Sequence, residues 1–252
     1  MTNITTFWSA TGGVGKTTLA IAQAIMLARG EKNKVALLDF NEATPNIHRK
    51  LSLRCVDLTQ IYDAIEQENL TADTISPCLQ KKHGIWVLTG ISFQEFDRFE
   101  ERHFSTIIQV LKNEFSHVVI DCNAGIFFAS TLASLRNSDE IKVVTLPTSD
   151  SVKNTITFMD FIQKNWGIKK EKYKVILNMI RPGGVSLDGI KALFNTDIHS
   201  IKYDPQALKL QETGKIFMPS EMNISKNKEK PRKGFFSFSI LRGKTDVDNK
   251  PI

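Results

Sequence analysis

The sequence contains few cysteines. Its 252 residues include only three, Cys55, Cys78 and Cys122, an odd number at wide spacing. This pattern predicts neither a disulfide framework nor a zinc site. We interpret all three as reduced structural residues, with Cys122, at a predicted strand end, as the candidate for the alternative of a reactive thiol.

Long apolar runs are absent as well. No segment approaches the ~20 apolar residues of a membrane-spanning helix, and no basic segment at the N-terminus leads into an apolar one. We therefore expect neither a membrane span nor a secretion signal, and we expect the protein to act in the cytoplasm. A content of 41% hydrophobic and 24% charged residues excludes collagen-like and disordered chains and suffices for one large core.

Positive charge is scarce outside the C-terminal tail. Eight basic and three acidic residues lie between Lys226 and Ile252, so this segment carries +5 of the net charge of +6. The preceding residues are therefore almost neutral. A non-specific nucleic-acid binder needs lysines and arginines arrayed against phosphates, so the charge balance does not favour one.

Strand and helix patterns alternate along the chain. Six short segments rich in β-branched or aromatic residues predict strands: Ile4–Ser9, Lys34–Phe40, Ile85–Thr89, His117–Asp121, Glu140–Pro147 and Tyr173–Asn178. Helices are predicted at Thr17–Arg29, Ser151–Trp166 and Leu187–Phe194, and the first of them ends before Gly30, a suitable C′ residue. A further helix is predicted after a Ser92–Glu95 capping box, because apolar residues follow at helical spacing: Phe104, Ile107, Ile108 and Leu111. This alternation predicts an α/β fold with a mostly parallel sheet flanked by helices. We expect one domain over residues 1–220 and a basic, aromatic tail over residues 221–252.

A phosphate-binding loop is predicted where the first strand ends. The segment reads Ala10-Thr11-Gly12-Gly13-Val14-Gly15-Lys16-Thr17-Thr18 and leads directly into a helix. Glycines let successive backbone N–H groups face phosphate oxygens, and the helix N-terminus adds partial positive charge. In this interpretation Lys16 neutralises β- and γ-phosphate charge, Thr17 offers its hydroxyl to Mg²⁺, and Thr18 supports the α-phosphate. The alternative is a glycine-rich turn without a ligand, which leaves Lys16 unexplained.

The loop, with Ala10 where the common pattern has glycine, resembles the deviant Walker A loop of the MinD/ParA family of ATPases. The resemblance extends over about residues 4–217. Asp39 and Asn41, with Pro45-Asn46 after them, look like the end of that family's second strand and its first switch, and Asp121 to Gly125 look like its Walker B strand end and second switch. Ser138-Asp139-Glu140 is similar to the segment that leads into the family's next strand.

The resemblance implies ATP and Mg²⁺ as ligands and assigns roles to several residues. Asp39 and Asp121 would face the metal ion together with Thr17, and Lys16, Asp39, Asn41 and Asp121 would form the catalytic set. For both aspartates a turn cap is the alternative. Asn178 occupies the place of the family's adenine-reading asparagine, for which a turn role is the alternative, and Asp204, in a segment followed by Gly214, resembles its base-flanking loop.

Three positions depart from the family's pattern. Thr11 stands where a signature lysine reaches across the dimer interface, and loss of such a trans cation can lower turnover by about 10³–10⁵. Asn41 replaces a second carboxylate, and an amide cannot take a proton from water. Asn123 stands where proline is common. We expect nucleotide binding to survive, with weak hydrolysis and an ATP-dependent homodimer. Lack of the signature lysine is similar to the TadZ/CpaE pilus-assembly branch.

Other branches of the family fit less well. Iron–sulfur carriers need cysteines placed to hold a cluster between subunits, and related bacterial tyrosine kinases carry a C-terminal tyrosine cluster. The chain has three tyrosines, Tyr62, Tyr173 and Tyr203, and no such cluster.

The tail combines basic and apolar residues. A basic linker precedes the apolar residues Phe235, Phe236, Phe238, Ile240 and Leu241. The segment is similar to the C-terminal membrane-targeting segment of MinD, which predicts peripheral contact with an anionic membrane at its inner face. Alternation of Phe236, Phe238 and Ile240 with serines also suits a strand added to a protein partner, and a solvated disordered tail is the third interpretation.

Three functions follow from these patterns. The first, which we favour, is an ATP-dependent dimeric switch that recruits or positions a membrane-associated or pilus-type assembly. The second is a scaffold that holds ATP without hydrolysing it. The third is a partition ATPase that binds DNA, which the nearly neutral body argues against.

Overall fold

A computed structural model describes residues 2–30, 32–42, 44–91, 96–182, 187–194, 196, 198–207 and 215–219. Contacts divide the chain into Met1–Met222 and Asn223–Ile252, and all described residues lie in the first unit. Within them, no helix combines the length and the apolar character needed to cross a bilayer.

Eight strands of the described residues form one mostly parallel sheet. They are β1 (Asn3–Ser9), β2 (Val35–Phe40), β3 (Leu79–Lys82), β4 (Ile85–Leu88), β5 (His117–Ala124), β6 (Glu140–Thr145), β7 (Tyr173–Ile180) and β8 (Ile198–Lys202), in the order β3-β4-β2-β5-β1-β6-β7-β8. Within this sheet only the β3–β4 pair is antiparallel. The sheet confirms the predicted α/β fold.

Helices flank both faces of the sheet. The described α-helices are α1 (Lys16–Leu27), α2 (Ile47–Leu51), α3 (Tyr62–Glu66), α4 (Ala72–Ile75), α5 (Glu101–Glu114), α6 (Ala129–Asn137), α7 (Ser149–Trp166) and α8 (Leu187–Phe194). Short 3₁₀ turns occur at Leu58–Ile61, Ser76–Cys78, Phe96–Arg98 and Lys170–Lys172. The central strands bury both faces, as the near-continuous apolar runs of β2 and β5 require.

Strand register brings the carboxyl ends of the central strands together. Asp39 of β2 is the register partner of Asp121 of β5, and β5 also pairs with β1, whose end leads into the phosphate-loop segment. Ligand sites of open parallel sheets lie at this edge. The order of strands therefore places the two aspartates and the loop at one site.

Several predicted elements differ in detail from the observed ones. The predicted His117–Asp121 strand continues to Ala124. The strands β3 and β8 and the helices α2, α3, α4 and α6 were not predicted. α1 ends at Leu27 with Ala28 as its C-cap, and Gly30 does not have the left-handed φ of a C′ glycine, so that prediction was wrong. The Ser92–Glu95 capping box lies outside the described residues.

The structure divides the three cysteines. Cys78 and Cys122 are buried, whereas Cys55 is exposed, so the interpretation of Cys55 as a structural residue is wrong. Burial raises the pKa of the Cys122 thiol to about 12, which keeps it protonated at neutral pH and argues against the reactive alternative.

Candidate functional site

The loop between β1 and α1 bends at two glycines. Gly13 and Gly15 have φ values of +75° and +90°, the left-handed region that side chains disfavour. A Cβ added at Gly12 or Gly13 would meet no atom within 4 Å, so open space lies in front of these two glycines. Thr11 is half-buried, and its carbonyl accepts a 2.8 Å hydrogen bond from the hydroxyl of Ser9.

Lys16 is the first residue of α1 and lies in a buried cluster. Its Nζ donates a 3.1 Å hydrogen bond to Asp121 Oδ1 and a second one to the carbonyl of Cys122. Burial lowers the pKa of Lys16, but the charge of Asp121 and smaller electrostatic contributions outweigh burial and leave the pKa raised. Lys16 is therefore a cation at the helix N-terminus, where anions bind.

Thr17 and Asn41 hold the other oxygen of Asp121. Thr17 Oγ1 donates a 2.6 Å hydrogen bond to Asp121 Oδ2, and Asn41 Nδ2 donates one of 2.7 Å to the same oxygen. Asp121 is fully buried, so these donors and Lys16 compensate a charge that burial would otherwise disfavour.

Asp39 caps α2. Its Oδ2 accepts hydrogen bonds from the backbone N–H groups of Asn46 at 2.7 Å and Ile47 at 2.8 Å, while Oδ1 accepts one of 3.0 Å from Asn41 Nδ2. Burial, together with the charge of Asp121, raises the pKa of Asp39 to about 7. These are the bonds of the turn-cap interpretation, and they also tie α2 to the Asn41–Asp121 cluster.

The predicted metal set is brought together as two carboxylates and a hydroxyl. Among the described residues, no group of three His, Cys, Asp or Glu side chains is placed to hold a metal ion. Mg²⁺ usually keeps several water ligands and needs only one or two carboxylates plus substrate phosphates. The site therefore suits a Mg²⁺ ion that is also bound by phosphates, and not one that is held by protein ligands alone. Its protein ligands would be Thr17, Asp39 and Asp121.

Asn178, near the end of β7, contacts the loop itself. Its Nδ2 donates a 2.8 Å hydrogen bond to the carbonyl of Val14, and a Cβ added at Gly15 would lie 2.4 Å from that nitrogen. Asn178 thus supports the loop from behind, and its predicted contact with a base stays a prediction. Asp204 Oδ1 accepts a 2.8 Å hydrogen bond from Gln206 N, which makes it a local cap of the turn after β8.

Sequence reasoning missed a second connection between the segment after β2 and the segment between β5 and α6. Glu42 is buried, and its Oε1 accepts a 2.6 Å hydrogen bond from the backbone N–H of Ser130, in the first turn of α6. The hydroxyl of Ser130 and the amide of Asn123 both donate to the carbonyl of Phe40, at 2.9 and 3.2 Å. A glutamate two residues after a strand gives no sequence signal for this contact, because its partner lies 88 residues away.

Beside this connection lies an exposed aromatic side chain that was also missed. Phe127 follows Gly125 in the β5–α6 segment and is 84% exposed. The tail residues Phe235, Phe236, Phe238, Ile240 and Leu241, and Gly214 of the base-flanking segment, lie outside the described residues.

Comparisons with known proteins agree with this geometry. The chain matches the family described as "CobQ/CobB/MinD/ParA nucleotide binding domain" over residues 5–217. It is 25% identical to the septum site-determining protein MinD of Thermotoga maritima over 240 residues, which cover 91% of this chain and 86% of that protein.

Two solved structures have a similar fold. A ParA family ATPase from Chlorobium tepidum gives a TM-score of 0.76 at 18% identity, covering 86% of this chain and 91% of that one. MinD from Pyrococcus horikoshii, complexed with Mg-ADP, gives 0.71 at 19% identity, covering 86% and 87%. Since the family match covers residues 5–217, which include all but the first two residues of the described sheet and the loop at its edge, the chain belongs to the CobQ/CobB/MinD/ParA nucleotide-binding domain family.

Proposed function

We propose that the protein binds ATP with Mg²⁺ at Gly12–Thr18 and acts as a nucleotide-dependent dimeric switch that recruits or positions a membrane-associated or pilus-type assembly. The observation that carries the proposal is the cluster at the start of α1, where Lys16 and Thr17 both contact Asp121. Lys16 and the loop N–H groups would bind phosphates, and Thr17, Asp39 and Asp121 would hold Mg²⁺. When bound, Mg²⁺ would neutralise phosphate charge.

Two segments that contact the cluster supply the moving parts of the proposed switch. Asp39 caps α2, and Glu42, three residues later, bonds to the first turn of α6. A ligand that contacts Lys16, Asn41 or Asp121 would replace some of the hydrogen bonds of the cluster. The hydrogen bonds that hold α2 and α6 would then change as well. Ordering of loops by phosphate contacts is a common switching device. Phe127, at the start of the same α6 connection, would then present an apolar contact to a partner.

Asn41 supports slow hydrolysis and, with it, the second candidate, an ATP-holding scaffold. Its amide donates to Asp39 Oδ1 and Asp121 Oδ2, so it links two carboxylates instead of offering a base. Thr11 offers no cation from the loop. Both residues predict that ATP binds with slow turnover, and the two candidates differ in whether binding changes the assembly state.

Sedimentation velocity with Mg·ATP, Mg·ADP and no nucleotide separates the two candidates. The switch predicts a shift from monomer to dimer with ATP only, and the scaffold predicts no shift. In parallel, phosphate release is measured for the wild type and for the double variant Thr11→Lys, Asn41→Asp. We expect at least a tenfold rise in the double variant, and equal rates would contradict the assigned roles of Thr11 and Asn41.

A further inference from the structure

A small cavity of about 20 Å³ opens beside the first turn of α1. It lies between α1, α2 and residues 215–217, and its polar lining consists of Thr18, Lys50 and Lys215. Thr18 directly follows Thr17, whose hydroxyl is bonded to Asp121. One wall of the cavity is therefore formed by the first turn of α1, next to the residue that contacts Asp121.

Lys50 is carried to this cavity by the helix that Asp39 caps. Asp39 Oδ2 accepts from Asn46 N and Ile47 N, and the N–H of Lys50 donates a 3.2 Å hydrogen bond to the carbonyl of Asn46. Lys50 thus lies one turn beyond the residues that are bonded to the site. Its backbone position is fixed by the site's own carboxylate.

The side chain of Lys50 is half-buried and lies within the electrostatic reach of Asp121. Burial lowers the pKa of Lys50, and the charge of Asp121 acts in the opposite direction. Lys215 lines the same cavity. Lys50 is therefore a second ammonium group of this chain near the cluster of Lys16 and Asp121. Thr11 is neutral and supplies no such charge.

We propose that Lys50 is a phosphate-binding residue of the nucleotide site. It belongs to the same chain, lies on α2, and supplies a positive charge that the neutral Thr11 does not. The inference rests on the proposed nucleotide binding. An ammonium group is a point charge that satisfies phosphate oxygens without a fixed geometry, so a lysine on a neighbouring helix can serve as well as one in the loop. The added charge favours nucleotides with more phosphate charge, ATP over ADP.

Calorimetric titration of Mg·ATP and Mg·ADP into the full-length protein tests the proposal. Lys50→Met keeps the length of the side chain and removes its charge, and Lys215→Met removes a charge from the same cavity as a matched control. We expect Lys50→Met to weaken ATP binding about tenfold or more, with a smaller effect on ADP, and Lys215→Met to change both by less than twofold. Lys50→Arg should keep most of the affinity. The difference between wild type and Lys50→Met should narrow at 1 M salt, because screening weakens the charge contribution.

The possible failures are distinguishable. If the wild type binds ATP and Lys50→Met binds it with the same affinity, the role of Lys50 alone is overturned. The same holds if Lys215→Met loses as much ATP affinity as Lys50→Met. Absence of ATP binding in the wild type overturns the proposed function and this inference together. Thermal unfolding of each variant shows whether it is folded, and Lys50→Gln replaces Lys50→Met if the latter does not fold.

Discussion

Asp121 accepts hydrogen bonds from three side chains that belong to two segments of the chain. Lys16 and Thr17 come from α1, and Asn41 comes from the segment after β2. The sequence predicted the first two, because glycines followed by lysine and threonine at a strand end have a recognised chemistry. It could not predict that Asn41 bridges two carboxylates, since that contact depends on the register of β2 against β5.

Asp39 makes stability depend on pH. Its pKa is raised to about 7 by burial and by Asp121, against about 3.9 in an unfolded chain. Between these values the folded protein holds a proton that the unfolded chain has released, so stability falls as pH rises toward 7. The slope from this group is at most about 1.4 kcal/mol per pH unit.

Urea unfolding of the wild type and Asp39→Asn from pH 5 to pH 8, without Mg²⁺ or nucleotide, measures this effect. The asparagine variant lacks the titrating group, so the free energy of unfolding of the wild type should decline relative to it up to about pH 7 and level off above. Parallel pH curves for the two proteins would contradict a raised pKa of Asp39.

Gly15 is required by both conformation and space. Its φ is +90°, and a Cβ would lie 2.4 Å from Asn178 Nδ2. We expect Gly15→Ala to lower the free energy of unfolding by about 1–3 kcal/mol. Gly12→Ala is the matched control, because Gly12 lacks a left-handed φ and has no atom within 4 Å of an added Cβ. Equal effects of the two substitutions in urea unfolding would refute this account of the loop.

At the scale of elements, sequence patterns did not reveal the contact between Glu42 and α6. Glu42 accepts from the N–H of Ser130, one of the first-turn donors that a helix leaves without an internal partner. Glu42→Ala should therefore lower the free energy of unfolding by about 1–2 kcal/mol and speed hydrogen exchange in the first turns of α6.

Glu171→Ala is the control for that substitution, because Glu171 is exposed and should change stability by no more than about 0.5 kcal/mol. If exchange in α6 is the same in Glu42→Ala and in the control, the contact does not hold α6 in solution.

Elements with strong apolar patterns were predicted well, and those without were missed. The six predicted strands all exist, and the α8 prediction has the observed bounds, Leu187–Phe194. The β3 segment reads LQKK and α6 reads ASTLASLRN, so neither shows a clear apolar period. β5 was predicted too short because Asp121, Cys122 and Asn123 look like a strand end, although tertiary contacts bury them.

On the scale of the whole molecule, charge and ligand site occupy different parts of the chain. The described site lies between residues 9 and 207, whereas most of the net positive charge lies after Lys226. We propose that the tail contacts an anionic membrane and that nucleotide binding does not require it.

Deletion of residues 226–252 tests this division. The full-length chain should sediment with anionic vesicles, and the truncated chain should stay in the supernatant. Neither chain should bind neutral vesicles strongly. ATP affinity should change by less than twofold on truncation. Equal vesicle binding by both chains would exclude the tail as the membrane contact.

The central claim is that the loop before α1 binds ATP through Lys16. The most direct measurement is equilibrium titration of Mg·ATP into the wild type, Lys16→Ala and the control Lys34→Ala. The exposed side chain of Lys34 forms an ion pair with Glu114 across 3.7 Å and lies over the ring of Phe115, 4.7 Å from its centroid. The account predicts saturable binding to the wild type and to Lys34→Ala, and a loss of at least a hundredfold in folded Lys16→Ala. Undiminished binding by Lys16→Ala, or no binding by the wild type, would contradict it.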